Sequence, residues 1–159
     1  MNIRNLTIKE QVLEAMRRVY SNALTTTSGG NISAIDENGH IFITPSSIDK
    51  GTLTLDDIVE VLPDGTKIGR HVPSMELPFH SNIYKACPDI KAVVHAHAPA
   101  AVAYACMNIA PDSRCARVYA DALGKIVTTK YALPGSQQLG NIVMQGFRDG
   151  YRTVMMDNH

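Results

Sequence analysis

The sequence predicts a mixed α/β domain with helices laid over a sheet. Three observations carry that expectation. Apolar residues recur at helical spacing near the N-terminus, at Ile8, Val12, Ala15, Met16, Val19 and Tyr20. Short apolar stretches separated by turn residues follow them. Helical and strand-like patterns then alternate to the last residue, with no internal repeat and no linker to divide the chain.

The first helix is expected from about Thr7 to Ala23, where Thr7 followed three residues later by Glu10 makes a capping box. A polar loop, Thr25-Thr26-Thr27-Ser28-Gly29-Gly30, leads into strands at Asn31–Ile35 and His40–Thr44, joined by the turn Asp36-Glu37-Asn38-Gly39. Pro45-Ser46-Ser47 interrupts the second. A third strand, Asp57–Leu62, meets the Pro63-Asp64-Gly65 turn and continues through Thr66-Lys67-Ile68. A helix over Glu76–Cys87 stops at Pro88-Asp89, and Ala92–His97 reads as a buried strand stopped by Pro99. The remainder predicts a small helix at Ala100–Met107, a strand at Ile126–Tyr131, a helix at Ser136–Phe147 and a last strand at Thr153–Asp157.

Composition narrows the function. The 159 residues are 45% hydrophobic and 19% charged, enough for one domain with a substantial core. Fifteen basic and fifteen acidic residues cancel, which argues against nucleic acid or an acidic membrane surface and leaves a small molecule as the charged partner. No apolar run reaches the roughly 18 residues of a membrane span, and the N-terminus lacks the apolar core of a signal peptide. Cys87, Cys106 and Cys115 are an odd number without CxxC spacing, so buried free thiols in a reducing cytoplasm are expected.

The strongest chemical signal is His95-Ala96-His97. On a strand, residues two apart project from one face with Cα atoms about 6.5–7 Å apart. Two imidazoles so placed can converge on one cation at about 2.0–2.1 Å. A pair of partly buried histidines tied into a loop network is the plainer alternative. A third ligand must come from the remaining histidines. His40 follows a turn glycine and His71 follows charged loop residues, so both are expected in solvent. His80 lies one helical turn after Glu76, while His159 closes the last strand; on position the two compete.

Glu76 stands near a helix start, where a carboxylate is favoured by the helix dipole. It serves there as a cap or, beside a metal, as a general acid and base. In Ser28-Gly29-Gly30-Asn31 the glycines let backbone amides approach an anion and the polar side chains add donors, although a tight turn has the same composition.

Together these segments resemble the class II aldolase/adducin family, typified by L-fuculose-phosphate aldolase and L-ribulose-5-phosphate 4-epimerase. The resemblance runs in order through Ser28-Gly29-Gly30-Asn31, Ile43-Thr44-Pro45-Ser46-Ser47, Pro73-Ser74-Met75-Glu76-Leu77-Pro78-Phe79-His80, His95-Ala96-His97-Ala98-Pro99 and Asn158-His159. It implies a three-layer α/β/α domain with a largely antiparallel central sheet, commonly a homotetramer. It implies His95, His97 and His159 as ligands of zinc or another divalent metal, in preference to His80. Glu76 takes the proton-transfer position, and Ser28, Gly30, Asn31, Ser46, Ser47 and Ser74 fall on segments that hold a substrate phosphate. The implied activity is aldol cleavage of a small phosphorylated ketose or related sugar acid through a metal-stabilised enediolate.

Several positions depart from the family pattern. Met75 stands where a small residue is common, and Ser47 where glycine is usual. Glu76, rather than aspartate, favours aldolase over epimerase chemistry. Tyr119-Ala120-Asp121 resembles a segment that supplies an acid in epimerases, so Asp121 carries the alternative of epimerase or dehydratase chemistry. A non-catalytic, adducin-like module is the remaining alternative. Relatives continue past the third histidine, so a single domain spanning 1–159 and truncated at its C-terminus is expected.

Overall fold

The structure, a computed structural model, describes residues 2–115 and 117–159. Two compact units emerge, one built from the residues up to Leu77 together with Asp89–Ala98, the other from Pro78–Pro88 with Pro99–His159.

The first unit holds helix α1, Ile8–Ser21, and five strands: β1, Asn31–Ile35; β2, Ile41–Ile43; β3, Val59–Val61; β4, Lys67–Ile68; and β5, Ala92–His95. The sheet order is β4-β3-β2-β1-β5, antiparallel throughout. The predicted capping box forms: Glu10 Oε2 accepts from the Thr7 amide at 2.8 Å, and Thr7 Oγ1 accepts from the Glu10 amide at 3.3 Å. Val12, Leu13 and Met16 of α1 form a core with Ile32, Leu53 and Ile58, backed by Ala34 and Phe42. Strand side chains alternate, so Ile32 and Ala34 facing α1 turn Asn31 and Ser33 to the other face of the sheet. Asn31 is paired with His95 and Ser33 with Val93, which puts the His95 ring on that same face.

The second unit holds most of helix α2, Leu77–Ala86, then α3, Pro99–Cys106, α4, Arg117–Leu123, β6, Ile126–Thr129, α5, Gln137–Arg148, and β7, Thr153–Met156. β6 and β7 pair in parallel, and α5 packs on them through Gly146, where a Cβ would lie 2.9 Å from Val154 Cγ2. Ser136 caps α5, its Oγ accepting from the Leu139 amide. Among the described residues no helix is long and apolar enough to cross a membrane.

The α/β expectation holds, with local differences. Only His95 of the His-Ala-His segment lies in β5, because β1, its sole ladder partner among the described residues, begins at Asn31 opposite it. β5 is therefore an edge strand with an alternating pattern, Val93 and His95 buried and Ala92 and Val94 exposed, rather than buried on both faces. Glu76 precedes α2 instead of opening it, and Asp57 closes a short 3-10 helix, Leu55–Asp57. Helix α4 was not expected: Val118 and Tyr119 are exposed, so the segment shows no apolar stripe. The thiols are free as expected, but only Cys87 is buried. His40 and His71 are part-buried and carboxylate-bound rather than solvated, His40 Nδ1 lying 2.7 Å from Glu60 and His71 Nε2 2.7 Å from Asp57.

Candidate metal centre

The first unit brings four of the predicted residues together. His95 and His97, although only one is in the strand, turn their rings edge to face, with the two Nε2 atoms 2.9 Å apart. Glu76 Oε2 lies 3.2 Å from His95 Nε2. Asn31 donates its side-chain amide to that same carboxylate oxygen at 2.6 Å. Asn31, Glu76 and His95 are all buried, with 4%, 8% and 7% of their surface exposed, so solvent does little to screen the cluster.

Local chemistry explains each position. β1–β5 pairing sets Asn31 beside His95. Glu76 is held at the entrance to α2 by its backbone, whose amide donates to Ser74 Oγ at 3.2 Å, while the Leu77 amide donates to the Ser74 carbonyl. Ser74 therefore fixes the segment that carries the acid. His97 is backed by Gly29, where a Cβ would fall 2.9 Å from His97 Nδ1 and 2.7 Å from Thr26 Oγ1. Gly30 has φ +66° and lies against the His95 carbonyl, 2.7 Å from where its Cβ would be. The two glycines thus serve close approach of this loop to the end of β5.

The donor set fits a divalent cation. Glu76 Oε2, His95 Nε2 and His97 Nε2 are electron-rich atoms in succession, and a lone proton on one imidazole bridges a single pair of them. Two imidazole nitrogens bound to one ion at about 2.0–2.1 Å stand roughly 3–3.4 Å apart, close to the separation found. His97 reaches this geometry outside the strand.

The other predicted residues are placed as follows. His159 is half-buried, just past β7 in the second unit. His80 in α2 is fully buried with its ring stacked on Phe79, centroids 4.4 Å apart. Asp121 is exposed on α4, with Arg117 Nε 3.9 Å away. Ser28 and Ser47 are exposed, and Ser46 is half-buried with its hydroxyl 3.4 Å from that of Ser47. Ser47 has φ +58°, a left-handed conformation that glycine adopts without strain. Backbone bonds join this segment to the one before Glu76: the Ser46 amide donates to Val72 and the Ser74 amide to Thr44.

Two residues that the sequence did not single out also shape this unit. Asp57 accepts hydrogen bonds from the Thr54 amide and hydroxyl, from Arg70 and from His71. Burial raises its pKa, but these donors outweigh burial and hold the carboxyl well below the usual carboxylate range. Lys50 is 1% exposed, with its ammonium donating to the Pro45 carbonyl. In the sequence Lys50 sits beside Gly51 in a polar stretch, which gives no sign of burial.

Residues 10–159 match the model of the class II aldolase and adducin N-terminal domain. The chain belongs to that family. It is 30% identical over 165 residues to the 5-deoxy-D-ribulose 1-phosphate aldolase of Bacillus thuringiensis, covering 95% of this chain and 71% of the relative. It is 27% identical over 163 residues to the 3-oxo-tetronate 4-phosphate decarboxylase of Haemophilus influenzae, covering 98% and 75%. A solved L-fuculose 1-phosphate aldolase superposes with a TM-score of 0.85 at 29% identity, over 96% of this chain and 72% of the other. These establish the class II aldolase-like α/β fold with its mostly antiparallel sheet. The enzymes of this family are divalent-metal-dependent and act on small sugar phosphates.

Proposed function

We propose that the chain is a zinc-dependent aldolase that cleaves a small phosphorylated ketose or related sugar acid. The observation that carries this reading is the convergence of Glu76 Oε2, His95 Nε2 and His97 Nε2 inside one buried cluster. His95, His97 and His159 would hold the ion, a set of three neutral ligands that leaves its full positive charge. When bound, it supplies a Lewis acid for the negative charge that develops on two neighbouring substrate oxygens.

The chain's own residues supply the rest. Glu76 takes the proton from the hydroxyl whose carbon–carbon bond breaks, or returns one to the carbon of the enediolate fragment. Asn31, donating to Glu76 Oε2, aims that carboxylate. Ser28, Gly30, Asn31, Ser46, Ser47 and Ser74 line the segments that would meet the phosphate. The two relatives support the breadth of this reading. By their names both act on phosphorylated substrates, and aldol cleavage and loss of carbon dioxide from a 3-oxo acid both break a carbon–carbon bond to leave an enolate-type anion.

Epimerase chemistry is the second reading, favoured by the open position of Asp121 as an additional acid. A single catalytic domain, a homotetramer and a cytoplasmic location complete the proposal. Tyr104, Met107, Val118, Tyr119, Tyr131 and Leu133 are large apolar side chains left exposed in the second unit, which supports their burial in an oligomer. The test is a retro-aldol screen over phosphorylated ketoses, with and without a chelator. Chelator-sensitive release of dihydroxyacetone phosphate is expected; cleavage untouched by complete metal removal would overturn the mechanism.

A further inference from the structure

We propose that Lys50 is a positioning residue for the anionic end of the substrate, clamping the two serine-bearing segments that would meet it. This rests on the phosphate-handle reading above. The clamp is explicit in the hydrogen bonds. The Lys50 backbone amide donates to the Thr27 carbonyl at 2.8 Å, one residue before Ser28-Gly29-Gly30-Asn31. Its ammonium donates to the Pro45 carbonyl, also at 2.8 Å, one residue before Ser46-Ser47. Main-chain bonds from Ser46 to Val72 and from Ser74 to Thr44 extend the connection to the segment carrying Glu76. One residue therefore sets the spacing of segments separated by more than a dozen positions in the chain.

A lysine is an expensive way to hold a carbonyl. The Lys50 side chain is 1% exposed, and among the described residues no carboxylate forms an ion pair with it. Burial pushes its pKa down, partly opposed by the charge of neighbouring Asp49. Removing an ammonium from water is costly, and an apolar side chain of similar length would avoid that cost while leaving the buried Pro45 carbonyl without this donor. Retaining the donor makes physical sense if the carbonyl it holds, and the positive charge behind Ser46 and Ser47, act on a bound anion.

Titrating inorganic phosphate into the metal-loaded full chain, followed by ³¹P NMR, tests this in wild type, Ser46→Ala, Lys50→Met and Lys50→Gln, with Tm measured alongside. Wild type should bind saturably, Ser46→Ala should weaken binding, and Lys50→Met should weaken it at least fivefold. Lys50→Gln, a neutral donor of shorter reach, should show the same loss and gives the comparison if Lys50→Met does not fold. Phosphate affinity unchanged in either folded Lys50 variant, whatever its Tm, overturns the positioning role alone. No binding by wild type, or binding indifferent to Ser46→Ala, overturns the phosphate-handle reading and this inference with it.

Discussion

Asn31 and Glu76 are 45 residues apart in the chain and joined by a 2.6 Å hydrogen bond from amide to carboxylate. The bond is buried, so it fixes which oxygen of Glu76 faces His95. Glu76→Gln preserves the shape but removes the charge and the proton acceptor. We expect metal content to stay near one ion per chain while kcat falls about 10²–10⁴-fold, the range for losing a general acid–base group. An unchanged turnover would reduce Glu76 to a residue that merely closes the entrance to α2.

Metal content separates the histidines. Changing His97 to Ala removes one of the two nitrogens that stand 2.9 Å apart, and bound zinc, measured by elemental analysis, should drop to a small fraction of wild type. His159→Ala should do the same. His80→Ala should leave the metal in place, because that ring is fully buried and stacked on Phe79. Its expected cost is to stability, about 1–3 kcal/mol for a buried aromatic ring and its polar atoms. Zinc lost from His80→Ala and kept by His159→Ala would exchange their roles.

How far the site was legible follows from what each residue needed. His95 and His97 can be paired from spacing alone, but strand alternation accounts for only half of the pair: His97 lies beyond the strand, in close approach to Gly29. The capping box at Thr7 was visible because both of its partners lie within one turn. Asn31–Glu76 was not derivable from spacing, since tertiary pairing of β1 and the loop before α2 creates it; family resemblance alone put both on the site. Lys50 and Asp57 were missed for a related reason, because a charged residue in a polar stretch looks solvated until its burial is known. Helix α4 escaped because its apolar residues face outward.

Gly29 offers a way to perturb the metal without touching a ligand. An added methyl would lie 2.9 Å from His97 Nδ1 and 2.7 Å from Thr26 Oγ1, so the ring or the loop must yield. Gly29→Ala should fold, since no left-handed backbone is required there, but should weaken zinc binding by roughly 10-fold, the lower end of the effect of disturbing what supports a metal ligand. Competition with a chromogenic chelator measures it. Equal affinity would mean that the loop gives way instead of His97.

Asp57 makes the fold acid-sensitive. Its folded pKa lies below its ordinary value of 3.8: burial opposes this, but the donors Thr54, Arg70 and His71 prevail. The sign follows directly. A depressed folded pKa contributes stability that is fully present above the unfolded value and is lost as pH falls below about 4. Urea midpoints should therefore decline between roughly pH 5 and 3. Asp57→Asn should cost about 1–3 kcal/mol at neutral pH and flatten that decline. A variant with the same acid slope as wild type would show that other carboxylates govern it.

Ser47 gives the last prediction, and it concerns a strained backbone beside the proposed phosphate segment. At φ +58° its Cβ crowds the carbonyl that follows, at a cost of roughly 1–2 kcal/mol for an L residue. Glycine removes the crowding but adds freedom to the unfolded chain, which returns about 0.5–1 kcal/mol of the gain. Ser47→Gly should thus raise stability by up to about 1 kcal/mol, visible as a higher Tm. If the Ser47 hydroxyl also meets the phosphate, the same change should raise KM for a phosphorylated ketose while kcat holds. A rise in Tm with unaltered KM would leave Ser47 as strained backbone and assign the handle to Ser46 and the Ser28–Asn31 loop.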